Sequence, residues 1–322
     1  MTITVYLDSN IYRYVASGEL EIITVGSVRF GYSSVHFDEI IRNGNTDILK
    51  GIEALSAVPI VTNENGEYDI DDIGVCLEYE DPYEKYEKYS DSTENITDDA
   101  ENSIYELLLK FLGADNIEEL RKIPENLVDL AQNVIGNDVE NTEAQAEKLK
   151  YFIEDNLIEQ KPLSETRDAF GYPSGATDKH KDDIDPIDGI WNYMKNKVPA
   201  DVTKDMFFGF EPMPSNKMEI TRIGSISACH LILNMVGFHP DKGLPKREKI
   251  RNIMSDGEHI GYGSLCPVFL TSDFRMFKKA QAIYRYRNFN TKAIHVPYKS
   301  EGMSVTLVEP GSVRKIKLPK PE

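Results

Sequence analysis

The stretch Ile3-Thr4-Val5-Tyr6-Leu7-Asp8-Ser9-Asn10 decides how this chain is read. An apolar, β-branched run with nothing before it to pair with reads as the central strand of a parallel sheet, covered on both faces. It stops at three polar residues, which puts Asp8 at the strand's carboxyl end. In open α/β sheets ligands bind at that end, where the strand order reverses. Near the other terminus Pro267-Val268-Phe269-Leu270-Thr271-Ser272 has the same form and delivers Asp273. Two aspartates brought to one sheet edge from distant parts of the sequence predict a carboxylate site assembled by the fold. The competing reading of each is an N-cap for the helix that follows.

Outward from the first strand, residues 1–62 alternate strand and helix. Ile11 to Val15 suit a short helix stopping at Gly18, and Val25 to Ser33 a second strand in which Val28, Phe30 and Tyr32 alternate. Val35 to Arg42 form a helix broken by Asn43, Gly44 and Asn45. Thr46 to Ala57 form another, capped by Thr46 or Asn45, and Pro59 to Thr62 a third strand. This β-α-β-α-α-β order implies a parallel sheet built through right-handed crossovers. From Asn63 the rhythm is lost. Glu64 to Asp99 are rich in acids and tyrosine with few aliphatics for a core. Helical spacing then covers Ala100 to Leu112, Ile117 to Ile135 with Pro124 dividing it, and Glu143 to Ile158. A loop from Lys161 to Asp185 precedes a short helix, Pro186 to Lys197. The α/β rhythm resumes with an apolar helix from Lys217 to Phe238. Ser255 and Asp256 read as the cap of a helix reaching Leu265. A strand, a helix from Phe274 to Arg287 and a last strand, Lys292 to Val296, complete it. The chain therefore reads as one α/β domain, residues 1–62 and 217–297, interrupted by an acidic, mainly helical insertion, 63–216, and followed by a basic extension, 298–322.

Among 322 residues, 40% are hydrophobic and 28% charged, the composition of a soluble globular protein with ample core. Cys76, Cys229 and Cys266 are odd in number and form no C-x-x-C pair, so neither a zinc site nor a disulfide framework is expected, and a reducing cytoplasm is the natural home. No basic segment leads into an apolar stretch at the N-terminus, and no run approaches the roughly 20 apolar residues of a membrane span. The net charge of −18 argues at first against nucleic acid. It is unevenly placed: residues 64–140 hold 23 acidic and 5 basic side chains, a net of −18, whereas residues 217–322 hold 18 basic and 9 acidic, a net of +9. A basic C-terminal portion can face phosphates although the total is negative.

Four acids carry a resemblance. Asp8 in Val-Tyr-Leu-Asp-Ser-Asn, Glu39 in Ser-Ser-Val-His-Phe-Asp-Glu-Ile, Asp256 in Ser-Asp-Gly-Glu-His-Ile and Asp273 in Phe-Leu-Thr-Ser-Asp follow the order and placement of the acids in PIN domain nucleases, which this chain resembles over residues 1–62 and about 217–296. The separation of 17 between Asp256 and Asp273 suits one helix plus one strand. The resemblance implies a three-layer α/β/α sandwich with a parallel sheet ordered 3-2-1-4-5. It implies a metal-dependent ribonuclease with these four acids as ligands. Glu39 is preferred to Asp38 on the family's spacing from Ser33, since neighbouring helical residues point about 100° apart. Crowded carboxylates repel one another unless a cation lies between them, and Mg²⁺ or Mn²⁺ suits oxygen donors where no His or Cys cluster exists. Such ions activate water for attack on a phosphodiester. A role in stress response or defence follows only from the resemblance.

Around the acids, Asn10 is expected to orient Asp8, Ser34 to support the second strand end, and Thr271 or Ser272 to bond ligand or phosphate. Each is equally explained as turn or cap chemistry. His259 lies three residues beyond Asp256, on the same helix face. Lys246, Arg247, Lys249, Arg251, Arg275, Lys278 and Lys279 are the candidates for phosphate contacts, against a default of solvated helix faces. The acidic insertion reads as solvated surface, with a regulatory partner as the alternative; the oligomeric state, a homo-oligomer included, stays open. Two other classes compete: a non-catalytic RNA- or protein-binding scaffold on the same fold, disfavoured by the presence of all four acids, and a phosphatase with an aspartyl nucleophile, disfavoured because Asn10 stands where such enzymes place a second aspartate.

Overall fold

In the computed structural model, described for residues 2–62, 74–76, 78–93, 118–119, 121–124, 147, 150–151, 185–212, 220–241, 247–298 and 303–308, the opening strand β1 spans Ile3–Leu7. Val5, Tyr6 and Leu7 are at most 1% exposed, so both faces of the strand are covered, as a central parallel strand requires. On one side β1 pairs in parallel with β3 (Val28–Tyr32), Val5 opposite Phe30, and β3 with β4 (Val58–Thr62). On the other it pairs in parallel with β6 (Val268–Thr271), Leu7 opposite Leu270, and β6 with β7 (Lys292–His295). A short β5 (Gly74–Cys76) adds antiparallel to β4, giving the order β5-β4-β3-β1-β6-β7. The chain moves to one side of β1 early and to the other side late, so the reversal point lies between β1 and β6.

The helices follow the periodicity closely: α1 (Ser9–Ala16), α2 (Ser34–Asn43) and α3 (Asp47–Ala54). Gly44, with φ at 66°, ends α2 in the left-handed conformation that glycine adopts without strain. At Gly51 a Cβ would stand 2.2 Å from the Tyr12 carbonyl oxygen, so α1 and α3 meet backbone to side-chain-free face. Ile11, Tyr12, Ile48, Leu49 and Ile52 join Val5, Leu7 and Leu270 in one buried cluster.

Four expectations are corrected. Val25 to Ser33 are not a single strand: Gly26, with φ at 93°, separates β2 (Leu20–Val25) from β3. The C-terminal extension is not merely a basic tail, because β8 (Met303–Val308) pairs in parallel with β2 along its length and lays Met303 and Leu307 into the core. The acidic, tyrosine-rich segment contains a packed helix, α4 (Pro82–Thr93), whose Tyr86 and Tyr89 rings lie 5.7 and 5.6 Å from that of Phe37. Aromatic side chains supply there the apolar area that aliphatics lack. Finally, Ser255 and Asp256 do not cap a helix; they lie inside α8 (Arg247–Ser264), which starts about two turns earlier, within the basic stretch Lys246 to Arg251.

The chain divides into two compact units. The first holds residues 1–89, 219–224 and 258–322, and contains the sheets with α9 (Phe274–Tyr286). The second holds residues 90–218 and 225–257, so residues 225–257 go with the inserted segment, although the sequence assigns them to the core. Its described elements include α5 (Pro186–Met194), α6 (Lys204–Phe207) and most of α7 (Arg222–Met235), with Ile187, Ile190, Phe208, Ile226, Leu233 and Ile253 buried. The helices expected at 100–112 and 143–158 lie almost wholly outside the described residues; within 117–135, residues 118–119 and 121–124 are helical. Among the described residues no helix is long and apolar enough to cross a membrane.

Candidate functional site

Asp8 follows β1 directly, and its amide donates to the Leu270 carbonyl at 3.1 Å, extending the β1–β6 pairing by one residue. Its side chain is 1% exposed. Oδ1 accepts from the Ile11 amide at 2.9 Å and so caps α1. Oδ2 accepts from the Thr271 hydroxyl and, at 3.3 Å, from the Ser272 amide. Cap and sheet-edge carboxylate are thus one residue. Burial pushes the carboxyl upward from its usual range; the Thr271 and Ile11 bonds and the nearby His259 act against that rise, and the Glu39 charge adds to it.

Asp273 occupies the equivalent place after β6. Its Oδ1 accepts from the Arg275 and Met276 amides at 2.6 and 2.8 Å, capping α9, while its own amide donates to Thr271 Oγ1 at 3.0 Å. Oδ2 carries no hydrogen bond among the described residues. One hydroxyl, that of Thr271, therefore links the two strand-end aspartates.

Glu39 comes from α2. Its Oε1 lies 3.3 Å from His259 Nε2 and 3.8 Å from Arg42 Nη2. The neighbouring Asp38 points elsewhere and accepts from the Tyr89 hydroxyl at 2.7 Å. His259 is buried; Nε2 is also 3.3 Å from Ser9 Oγ, and Nδ1 is 2.9 Å from the Tyr6 hydroxyl, which is 2.7 Å from Ser33 Oγ. With the Glu39 carboxylate facing Nε2, the ring tautomer that carries its proton there accepts at Nδ1 from the Tyr6 hydroxyl. Tyr6 suits that role, since burial holds its phenol well above the ordinary range and keeps it protonated.

His36, equally buried, fixes the base of this arrangement. Its Nε2 donates to the Leu7 carbonyl at 3.0 Å and its Nδ1 accepts from the Ser33 amide at 3.1 Å, a pairing that only the neutral ring can make. Burial, with the ring of His259 4.7 Å away, pushes its imidazole down from 6.5 to about 3. His36 ties the residue before Asp8 to the helix that carries Glu39 one turn later.

Tyr6, Ser9, Ser33 and His36 were not singled out by sequence reasoning. Two signals were present: His36 precedes Glu39 by three residues, and a tyrosine in a strand covered on both faces requires a polar partner for its hydroxyl. Among the supporting residues, Asn10 turns to Arg13, accepting from Nη1 at 3.3 Å, and does not orient Asp8. Ser272 serves through its backbone: the amide bonds Asp8, and the carbonyl lies 3.2 Å from His295 Nε2. Arg275 and Lys278 lie on α9 beside Asp273, half-buried, with Lys278 Nζ 5.6 Å from the centre of the exposed Phe274 ring. Lys279 is fully buried, which removes it from the phosphate-contact candidates. Lys246 lies outside the described residues, Arg247 opens α8, Lys249 is exposed and Arg251 is half-buried, these last three within the second unit. Asp256 also belongs to the second unit, where its carboxylate stands with His230 and Asp241.

Comparisons with protein-family models, curated proteins and solved structures returned no match.

Proposed function

We propose that the chain is a divalent-metal-dependent nuclease of the PIN-like kind that hydrolyses phosphodiester bonds, with RNA as the expected substrate by resemblance. The observation that carries this reading is that Asp8 and Asp273 follow the adjacent parallel strands β1 and β6, the Asp8 carboxylate and the Asp273 amide sharing the Thr271 hydroxyl, with Glu39 near enough to push the Asp8 carboxyl upward. The mostly parallel sheet, ordered β5-β4-β3-β1-β6-β7, is compatible with a three-layer α/β/α sandwich, and the family's order 3-2-1-4-5 is the one we propose for its core strands.

The donor set fits a hard cation. An ionised carboxylate offers about four lone-pair sites. Asp8 uses three of them on protein donors and keeps one; Asp273 keeps Oδ2; Glu39 is held through Oε1 by His259 and Arg42. A bound Mg²⁺ or Mn²⁺ would supply Lewis acidity and an activated water at this edge. The chain's own part is positional. Thr271 and Ile11 fix the Asp8 carboxylate, α9 fixes that of Asp273, and His259, itself held by Tyr6, steers Glu39. Arg275 and Lys278, on α9 after Asp273, are the side chains expected to neutralise a substrate's flanking phosphates.

Incubating labelled RNA and DNA with Mn²⁺, Mg²⁺ or chelator tests the proposal. RNA cleavage that needs the ion is expected, with a loss of at least about 100-fold in Asp8→Asn, the scale of losing one preorganised electrostatic contact. Cleavage that survives chelation, or an unchanged Asp8→Asn, overturns it. One observation favours a second reading, the non-catalytic binding scaffold: both aspartates cap helices and Glu39 has the Arg42 guanidinium 3.8 Å away, so each acid also has a structural use. That reading expects chelator-insensitive RNA binding and no cleavage.

A further inference from the structure

The second unit holds a cluster of a different chemistry. His230 on α7, Asp241 in the connection that follows and Asp256 on α8 each offer one ligand atom, and these atoms all lie within 4.8 Å of one another. We propose that His230, Asp241 and Asp256 form a divalent transition-metal site, distinct from the carboxylate edge of the first unit.

Three features build the cluster. Asn234, one turn beyond His230 and fully buried, donates through Nδ2 to the His230 carbonyl at 3.2 Å and accepts from the Asp241 amide at 3.0 Å. It thereby pins the segment carrying Asp241 to the helix carrying His230. The chain after α7 turns through two left-handed residues, Gly237 at φ 83° and His239 at φ 44°, which brings Asp241 back over the helix end. Gly257, adjacent to Asp256, lets α8 approach α7: a Cβ there would stand 3.0 Å from Ser227 Cα and 3.4 Å from His230 Nδ1. The imidazole itself is fully buried, while both carboxylates are half-exposed. An ion would therefore be bound from the solvent side with the histidine as its inner ligand.

One imidazole nitrogen and two carboxylates are a mixed donor set. Pure oxygen sites favour Mg²⁺ and Ca²⁺, whereas an added imidazole shifts preference toward Mn²⁺, Fe²⁺, Co²⁺ and Zn²⁺. With bonds of about 2.1 Å, two ligand atoms on one ion stand no more than about 4.2 Å apart. Three ligand atoms sharing one ion cannot all be opposite one another and stand about 3.0–3.6 Å apart at such bond lengths, so atoms within 4.8 Å of one another close onto an ion through side-chain rotations that move them by up to about an ångström. Three protein ligands leave coordination positions for water or for an anionic group.

The test uses the full chain freed of metal by chelation and dialysis, then titrated with Zn²⁺ by calorimetry and with Mn²⁺ by pulsed electron paramagnetic resonance. Zn²⁺ is expected to bind with one equivalent that His230→Gln and Asp241→Asn each weaken by at least about 100-fold, more than the 10–100-fold typical of outer-sphere changes. That equivalent persists in Asp8→Asn, which separates this site from the proposed nuclease centre. Bound Mn²⁺ is expected to show coupling to an imidazole nitrogen that disappears in His230→Gln and survives in His259→Gln. Asp241→Asn, at a half-exposed position, guards against loss of fold in the histidine variant, and far-ultraviolet circular dichroism verifies both. Equal Zn²⁺ affinity in the parent and both variants, or Mn²⁺ coupling that persists in His230→Gln, overturns the proposal and leaves the cluster as an imidazole–carboxylate ion pair.

Discussion

A carboxylate 1% exposed and pushed upward by burial depends on the donors around it, and for Asp8 the chief side-chain donor is Thr271. Thr271→Val keeps the shape and removes the hydroxyl. It is expected to lower stability by about 1–3 kcal/mol, the cost of an unmet buried polar group, and to weaken Mn²⁺-dependent cleavage about 10–100-fold, the usual effect of losing a ligand's support. Thr271→Ser should restore both; denaturant unfolding and an activity titration against Mn²⁺ read the two effects separately. His36 gives a pH signature. Its ring is neutral in the fold, with the folded value near 3 and the ordinary value 6.5, so below about 6.5 the unfolded chain takes up a proton that the folded chain refuses. Stability is therefore full above that pH and is lost progressively as pH falls toward 3. Denaturant midpoints between pH 7 and pH 4 should show this slope, and it should be shallower in His36→Gln. At this scale Asp8 and Asp273 were legible because each ends an apolar strand run. Tyr6 and His36 were not, since the groups that make them matter, Ser33, Leu7 and His259, become neighbours only when the sheet and helices assemble.

For elements, the telling case is α9, whose N-cap is also a candidate ligand. Asp273→Ala removes both functions and is expected to cost about 0.5–2 kcal/mol of stability. Asp273→Ser retains a capping oxygen without the charge, so its thermal midpoint should stay near that of the parent while metal-dependent cleavage is lost. Stability and activity falling together in Asp273→Ser would reduce the residue to a cap. Helices α1, α2, α3 and α9 were readable because apolar residues recur at helical spacing and Gly18 and Gly44 end the runs. The start of α8 was misread for a physical reason: Ser255-Asp256 has the composition of a cap, yet the helix was already under way from Arg247 and needed none there. Strand β2 was missed because half its residues face solvent and its partner, β8, lies in a stretch that reads as a charged tail.

At the level of the whole molecule, the parallel sheet and its reversal point were legible, because two strand–helix blocks flank a segment of different composition. The division into units was not, because an apolar helix such as α7 has the same periodicity whichever unit it joins. Long-range pairing also gives the C-terminal strand a weight its composition hides. A chain ending at Tyr298 loses β8 and with it Met303 and Leu307 from the core cluster. Removing two such side chains is expected to cost at least about 2–5 kcal/mol, the range for one large core truncation, and to leave the edge of β2 open to other chains. Thermal unfolding and light scattering of that truncated protein check both.

The pairing of β1 with β6 also has a consequence in time. A ribosome delivers the first strand early, yet its neighbour, with Thr271 and Asp273, emerges only after more than two hundred further residues have been made. Until then Asp8 lacks both its hydroxyl partner and its companion acid, so a half-synthesised chain carries no assembled carboxylate edge. On the proposed nuclease reading, such late completion keeps the growing chain harmless to the message from which it is being translated.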